Sequence, residues 1–206
     1  MTLKLSYFDL RSRAETSRLV LHAAKKKFED NRIPFSEWSK VKPTTPFGSL
    51  PVLEVDGQTY AQGIAIATYL AMENGLFGSN NLEALEINQL HLLREDLIVE
   101  EVKVFQVKDP EKKNELVDNM NKNVYPRFLN YFNKILLNNQ EKNKTNFTVG
   151  TKLSLADIII FEGIQNVVQT NPQLLDNYPA LKALRATVAE VDGIKQYLAT
   201  RKQTDL

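Results

Sequence analysis

The stretch Phe47-Gly-Ser-Leu-Pro-Val-Leu-Glu-Val-Asp-Gly-Gln-Thr-Tyr-Ala-Gln-Gly63 decides how the rest of the chain is read. Leu50-Pro51 closes a loop and opens an apolar run. Proline donates no backbone N–H, so it is tolerated at the first residue of a strand. We expect the Leu50-Pro51 bond to be cis, against the usual trans preference of X–Pro bonds. Asp56-Gly57 separates two β-like runs, residues 51–55 and 58–61. That is a hairpin signal, because glycine takes the positive φ such turns need. Gln62-Gly63 precedes a helical run over residues 64–72. Gln62 therefore stands at a helix N-terminus, where free N–H groups favour an anion.

Upstream of this ribbon, Leu3, Leu5 and Tyr7 alternate with polar residues and predict a first strand. Ser12-Arg13-Ala14-Glu15 fits a capping box, serine at the N-cap and glutamate three residues on. The helix it opens carries Leu19, Val20, Ala23 and Ala24. Residues 28–35, closed by Pro34, form a second strand candidate. Residues 36–46 contain Pro43 and Pro46 and read as a loop, which also holds Trp38 and Lys42. The order is strand–helix–strand–loop–strand–strand–helix. A βαβ unit followed by ββα gives a four-stranded sheet with helices packed on it, a thioredoxin-like arrangement.

Downstream, turn formers cluster over residues 75–81 and helical periodicity replaces the hairpin signals. The expected division is a thioredoxin-like domain over residues 1–75, a linker over 76–82 and an all-helical domain over 83–206. Leu90, Leu93, Leu97 and Val104 mark one helix face, and Asp109-Pro110 breaks that helix. Val117, Met120, Val124, Phe128, Tyr131 and Ile135 mark another amphipathic helix. Pro126 should kink it. Residues 138–146 read as a polar loop without core residues. Ser154-Leu-Ala-Asp157 is a second capping sequence, and the apolar run after it predicts a helix buried on all sides. Helical stretches over residues 179–191 and 194–200 complete the domain.

The 206 residues carry 43% hydrophobic and 25% charged side chains, ordinary values for a globular protein. A net charge of +1 argues against a general electrostatic role on nucleic acid or anionic membranes. Lys25-Lys26-Lys27 reads as a solvated helix end, where cations suit the dipole. The chain contains no cysteine, which removes disulfides, cysteine metal sites and thiol nucleophiles. The start, Met-Thr-Leu-Lys-Leu-Ser-Tyr7, has no apolar h-region. No run approaches the roughly 18 apolar residues of a membrane span. A cytoplasmic location is expected. His22 and His91 are isolated and read as structural. Glu95, Asp96, Glu100 and Glu101 read as an acidic, solvated or interface helix face. They lack convergent ligands from elsewhere, so no metal is expected. Phosphate loops and Ser/His/Asp arrangements are absent from the pattern.

Tyr7, Trp38, Lys42, the run from Phe47 to Gly57, Ala61-Gln62 and Ser154-Leu-Ala-Asp157 together resemble the cytosolic glutathione transferases. Within them the chain is most similar to the sigma class, which includes glutathione-dependent prostaglandin D synthases. The resemblance extends to Arg201-Lys-Gln-Thr-Asp-Leu206. It implies glutathione as co-substrate, small electrophiles as acceptors and a homodimer. It also implies that Tyr7 donates its O–H to the glutathione sulfur and that Arg13 adds positive potential. Lowering a thiol pKa by about 2 units requires about 2.7 kcal/mol. One hydrogen bond to a charged group contributes roughly 1.5–3 kcal/mol, so Tyr7 alone supplies most of it.

The resemblance assigns Leu50, ahead of a cis Pro51, to pair with the cysteinyl backbone as an added strand does. Gln62 and Gly63 take the γ-glutamyl end, and Trp38 and Lys42 the glycyl end. Asp96 resembles the residue that reaches across a dimer to the γ-glutamyl amine, and Phe47 the aromatic that wedges into the partner. The acceptor pocket is implied at Phe8, Leu10, Arg13, Ile98, Lys103, Ile159 and Gly163. There are departures from the family pattern. Gly63 replaces a serine whose hydroxyl binds the γ-glutamyl carboxylate, and Ser49 replaces a common glutamine. A hydrogen bond of that kind is worth roughly 1.5–3 kcal/mol, or about ten- to a hundredfold in affinity. Lys103 stands where the prostaglandin synthases place a tryptophan. Three readings follow: a conjugating transferase, a non-catalytic crystallin-like relative, and a prostaglandin isomerase.

Overall fold

A computed structural model describes residues 1–204. In chain order the elements begin β1 (Leu3–Phe8), α1 (Ser12–Ala23), β2 (Glu29–Ile33), α2 (Trp38–Val41), β3 (Val52–Val55), β4 (Gln58–Ala61) and α3 (Gly63–Glu73). There follow α4 (Asn81–Gln106), α5 (Pro110–Asn119), α6 (Tyr125–Asn143), α7 (Leu155–Gly163), α8 (Gln165–Thr170), α9 (Pro179–Ala189) and α10 (Asp192–Thr200). Two compact units result: Met1–Leu76 with Val191–Thr204, and Phe77–Glu190. Sequence reading placed the last helix with the helical domain. Its contacts with α1 put it in the first unit instead. Residues 205 and 206, which close the family-like ending, lie outside the described residues.

The first unit is the expected four-stranded sheet, in the order β2-β1-β3-β4. β1 and β2 are parallel, and β1–β3 and β3–β4 are antiparallel. Alternation along β1 buries Leu3, Leu5 and Tyr7 on one face. α1 packs on α3, and Leu5, Leu19, Leu21, Leu53, Ile66 and Leu70 are fully buried. The Leu50-Pro51 bond is cis. Asp56 and Gly57 both have positive φ, 47° and 85°, as a type I′ hairpin turn requires.

Local pattern misled in two places here. The Ser12–Glu15 capping box does not form. Arg11 is the N-cap residue and its side chain makes no capping bond, while Ser12 sits at a φ of 39°. Glu15 turns inward because it has buried cationic and hydroxyl partners, whose attraction exceeds that of a solvated cap. Residues 36–46 are not a plain loop. They carry α2 between two 3₁₀ turns, Phe35–Glu37 and Lys42–Thr44. At the triple-lysine run, Lys25 adopts a positive φ of 52° and pairs with Asp192.

In the second unit, all nine residues of α7 are buried, as its apolar sequence requires. The Ser154–Asp157 capping box is present. Asp109 caps α5 through the Lys112 N–H, which explains the break at Asp109-Pro110. Ahead of Pro126 the helix widens into a π turn, Met120–Val124. Residues 138–146 differ from expectation. α6 runs on to Asn143, and Asn139 is buried because its amide donates to the Phe147 and Gly150 carbonyls, 2.8 and 2.9 Å away. The acidic face on α4 is also incomplete: Glu101 is buried and paired with Arg94 at 3.0 Å. Among the described residues no cluster of His, Cys, Asp and Glu is arranged to hold a metal.

His91 is buried on α4. Burial, and secondarily the nearby Arg94 charge, push its pKa down to about 4. A base whose folded pKa lies below its unfolded value of about 6.5 costs stability as pH falls between the two. At 1.36 kcal/mol per unit the full effect approaches about 3 kcal/mol. Thermal melts of a His91→Gln variant between pH 7 and pH 4 should show a flatter acid decline than the parent. An unchanged slope would contradict this account.

Candidate active site

The candidate active site is assembled at one end of the sheet, and the ladders put its residues in register. Ser6 pairs with Val52, so one further antiparallel step brings Tyr7 level with Pro51. Val52 pairs with Ala61, so the same step brings Gln62 level with Pro51 from the other side. Tyr7 is buried, with 4% exposure, and meets Phe8 edge-on. Its hydroxyl makes no hydrogen bond to any described residue, which keeps the donor free for a ligand.

Gly63 begins α3, after Gln62 at a φ of 78°. A Cβ added at Gly63 would lie 3.0 Å from the Arg13 carbonyl oxygen and 3.3 Å from Pro51 Cγ. The helix start is therefore pressed onto the β1–α1 connection and the cis proline together. That contact brings Arg13, Pro51 and Gly63 into one cluster, and it supplies a physical reason for glycine where the family pattern has serine. Changing Gly63→Ser should gain a hydroxyl only by shifting α3 a few tenths of an ångström. We expect glutathione affinity to change less than about tenfold, short of the full value of such a bond, with a lower melting temperature. Calorimetric titration with glutathione and a thermal melt check this. A tighter gain with no loss of stability would show that the space exists.

Trp38 is half-buried and meets Phe8 edge-on at 5.4 Å, while Phe8 stacks on Phe35 at 4.5 Å. Lys42 is exposed, and its stem lies against Gly48, the residue before Ser49. Tyr7, Arg13, Pro51, Gln62 and Gly63 thus gather at the β3 start, Ser49 and Leu50 precede Pro51 along the chain, and Lys42 reaches only Gly48. Leu10 is buried in the same unit. The other implied residues belong to the helical unit. Ile98 and Ile159 are buried, Arg94 covers Gly163, and Lys103 is exposed and bonded to Glu100. Asp96 is exposed on α4.

The sequence reading missed a charged cluster behind the site. Glu15, fully buried, accepts from Arg18 Nη1 at 3.1 Å and Arg201 Nη1 at 2.9 Å, and from the Tyr197 hydroxyl at 3.1 Å to either oxygen. Only the i,i+3 spacing of Glu15 and Arg18 was available to signal it.

The comparisons with known proteins agree with this geometry. The family model described as glutathione S-transferase, N-terminal domain, matches residues 3–72, and that of the C-terminal domain matches residues 95–201. The chain belongs to the glutathione S-transferase family. It is 37% identical to a probable glutathione S-transferase 7 of Caenorhabditis elegans, over 98% of this chain and 97% of that one. It is 35% identical to S-crystallin SL11 of Nototodarus sloanii, over 97% of each. Among solved structures, prostaglandin synthase D of Nilaparvata lugens superposes with a TM-score of 0.87 at 33% identity, covering 99% of this chain and 100% of that one. A sigma-class transferase of Fasciola hepatica gives 0.88 at 28%, covering 100% and 99%. A Necator americanus transferase described as monomeric gives 0.87 at 31%, covering 100% of each.

Proposed function

We propose that the protein conjugates the glutathione thiolate to small, largely apolar electrophiles, with the Tyr7 hydroxyl stabilising the sulfur. The observation that supports this most directly is the unused Tyr7 donor level with the cis Pro51 and the α3 start. Leu50 offers its backbone to the cysteinyl residue, Gln62 and the α3 N–H groups take the γ-glutamyl carboxylate, and Trp38 and Lys42 hold the glycyl end. Arg13 adds positive potential beside the sulfur. Phe8, Leu10, Ile98, Lys103, Ile159 and Gly163 contribute to acceptor binding. Retention on immobilised glutathione together with turnover of an aromatic chloro-electrophile tests the reading. Neither retention nor turnover would favour a crystallin-like role, which the Gly63 and Ser49 departures and the S-crystallin relative support. The exposed Lys103, bonded to Glu100, speaks against a prostaglandin isomerase.

The same reading makes the protein a cytoplasmic, detoxifying homodimer. Phe47 is 70% exposed. Leu93, Asp96, Val99, Glu100, Arg127, Phe128 and Tyr131 line a cavity of about 390 Å³ on the helical unit. An aromatic anchor in such a cavity is the usual centre of an interface. Phe47→Ser should convert dimer to monomer in analytical ultracentrifugation. An unchanged dimer would remove Phe47 from the interface. Among the described residues no helix is long and apolar enough to cross a membrane.

A further inference from the structure

The turn between β1 and α1 links Tyr7 to Arg13, and its backbone is strained. Ser12 has a φ of 39° without being glycine. Such a conformation costs on the order of 1–3 kcal/mol and persists only where the surroundings over-determine it. Within the turn, the Leu10 N–H donates to the Phe8 carbonyl at 2.7 Å, and Arg18 Nη1 donates to the Leu10 carbonyl at 2.8 Å. Arg32 on β2 pairs with Asp9 at 3.6 Å, and further restraints come from the C-terminal segment. Lys202 pairs with Asp9. Arg11 Nη2 donates to the Thr204 carbonyl at 3.4 Å. Arg201 and Tyr197 both grip Glu15, one turn into α1.

The clasp is built to be rigid. Glu15 is fully buried, and Arg201 and Tyr197 are nearly so. Arg18 joins Glu15 to Asp30 on β2 through its Nε, at 2.9 Å. Arg32 binds the other Asp30 oxygen at 2.8 Å and also reaches the Tyr197 hydroxyl at 3.4 Å. Tyr197 stacks on His22 at 4.2 Å. Beside it, a Cβ at Gly193 would lie 1.8 Å from the His22 carbonyl oxygen, so α10 approaches the end of α1 as closely as backbone allows. Burial, then the Glu15 carboxylate, push the Tyr197 pKa up, which keeps the hydroxyl a donor. Removing one partner from such a network leaves buried charge uncompensated.

We propose that Tyr197 and Arg201 are positioning residues for the thiol site: by holding Glu15, and with Lys202 on Asp9, they fix the strained turn that sets Tyr7 and Arg13. The second end of the lever is visible at Gly63, whose tight contact is the Arg13 carbonyl, the next residue after Ser12. A release of Glu15 lets Ser12 relax. That moves the Arg13 carbonyl against α3 and shifts Tyr7 relative to a bound sulfur. The inference rests on the thiolate reading of Tyr7.

The test uses the full chain with glutathione and an aromatic chloro-electrophile. The pKa of the bound thiol is read from thiolate ultraviolet absorbance against pH, beside kcat, KM for glutathione and the melting temperature. Arg201→Met should raise the bound thiol pKa by at least about 0.5 unit, roughly a threefold loss of thiolate below the parent pKa. kcat should fall with it, while KM for glutathione changes less than about threefold. Arg201→Lys should recover part of the shift, because a cation is again paired with Glu15. Tyr197→Phe removes a single hydroxyl at constant volume and should shift the pKa the same way. It remains the measurement if Arg201→Met does not fold. A lower melting temperature with an unchanged thiol pKa in Tyr197→Phe would overturn the positioning role and leave the clasp purely structural. A parent protein that binds glutathione with no thiolate signal would overturn the Tyr7 reading as well, a distinct result.

Discussion

Tyr7→Phe is expected to cut turnover at pH 6.5 by about 8- to 50-fold and to leave little deficit above pH 9.5. The phenyl ring keeps the packing against Phe8 and removes only the hydroxyl. A bound thiol held about 2 units below its ordinary value of about 8.5 is half ionised at pH 6.5. Without the donor, roughly one part in a hundred is ionised, a 50-fold loss. The freed thiolate is a stronger nucleophile. With a Brønsted coefficient of about 0.4, 2 units return about sixfold, which leaves a net loss near 8-fold. The sign of the pH dependence is the sharper test. Where both proteins are fully ionised, the variant should match or exceed the parent. A deficit independent of pH would mean that Tyr7 orients the peptide and does not tune the sulfur.

Asp157→Ala should destabilise the helical unit by about 3–5 kcal/mol. Asp157 Oδ1 accepts from the Thr148 N–H at 2.7 Å, and Oδ2 accepts from the Ser154 N–H at 2.8 Å and the Ser154 hydroxyl at 3.2 Å. The side chain is fully buried, so alanine admits no solvent to replace it. Two backbone N–H groups are left unpaired, each costing about 1–3 kcal/mol, and the cap of the most buried helix is lost. For a chain of this size the melting temperature should fall by roughly 6–20 °C in circular dichroism. A change below about 1 kcal/mol would mean that the loop over residues 147–150 is held by Asn139 alone. That residue also fastens it, through the Phe147 and Gly150 carbonyls.

The two capping patterns mark where sequence suffices and where it fails. Both have a serine followed by an acid three residues on. Ser154–Asp157 forms because its partners are local, the N–H groups of the same helix start and of Thr148. At Ser12 the acid is claimed by Arg201 and Tyr197, which lie more than 180 residues away and leave no local trace. The ribbon from Leu50 to Gly63 was readable for the opposite reason. Proline, an Asp-Gly turn and a two-residue strand period each act over a few residues, so the hairpin is legible from local sequence, while its register against β1 is not. Periodicity gave a helical stretch over residues 194–200. It could not state that α1 would cover it. The position of Gly63 was legible, but the Arg13 carbonyl that explains it belongs to tertiary structure alone.

The discontinuity of the first unit has a consequence for the order of assembly. Its sheet and first three helices are complete by Leu76, yet the segment that closes it begins at Val191. During synthesis the N-terminal part emerges with Glu15 still lacking its Arg201 and Tyr197 partners, and it waits for the whole helical unit. Closing a flexible loop of that length costs several RT in chain entropy, growing with the logarithm of its length. A helical unit that has already folded presents two fixed ends in place of a long coil. Vectorial folding should therefore proceed from the middle outward, with the glutathione-type unit last to become rigid. The residues that finish it are made only after the whole helical unit.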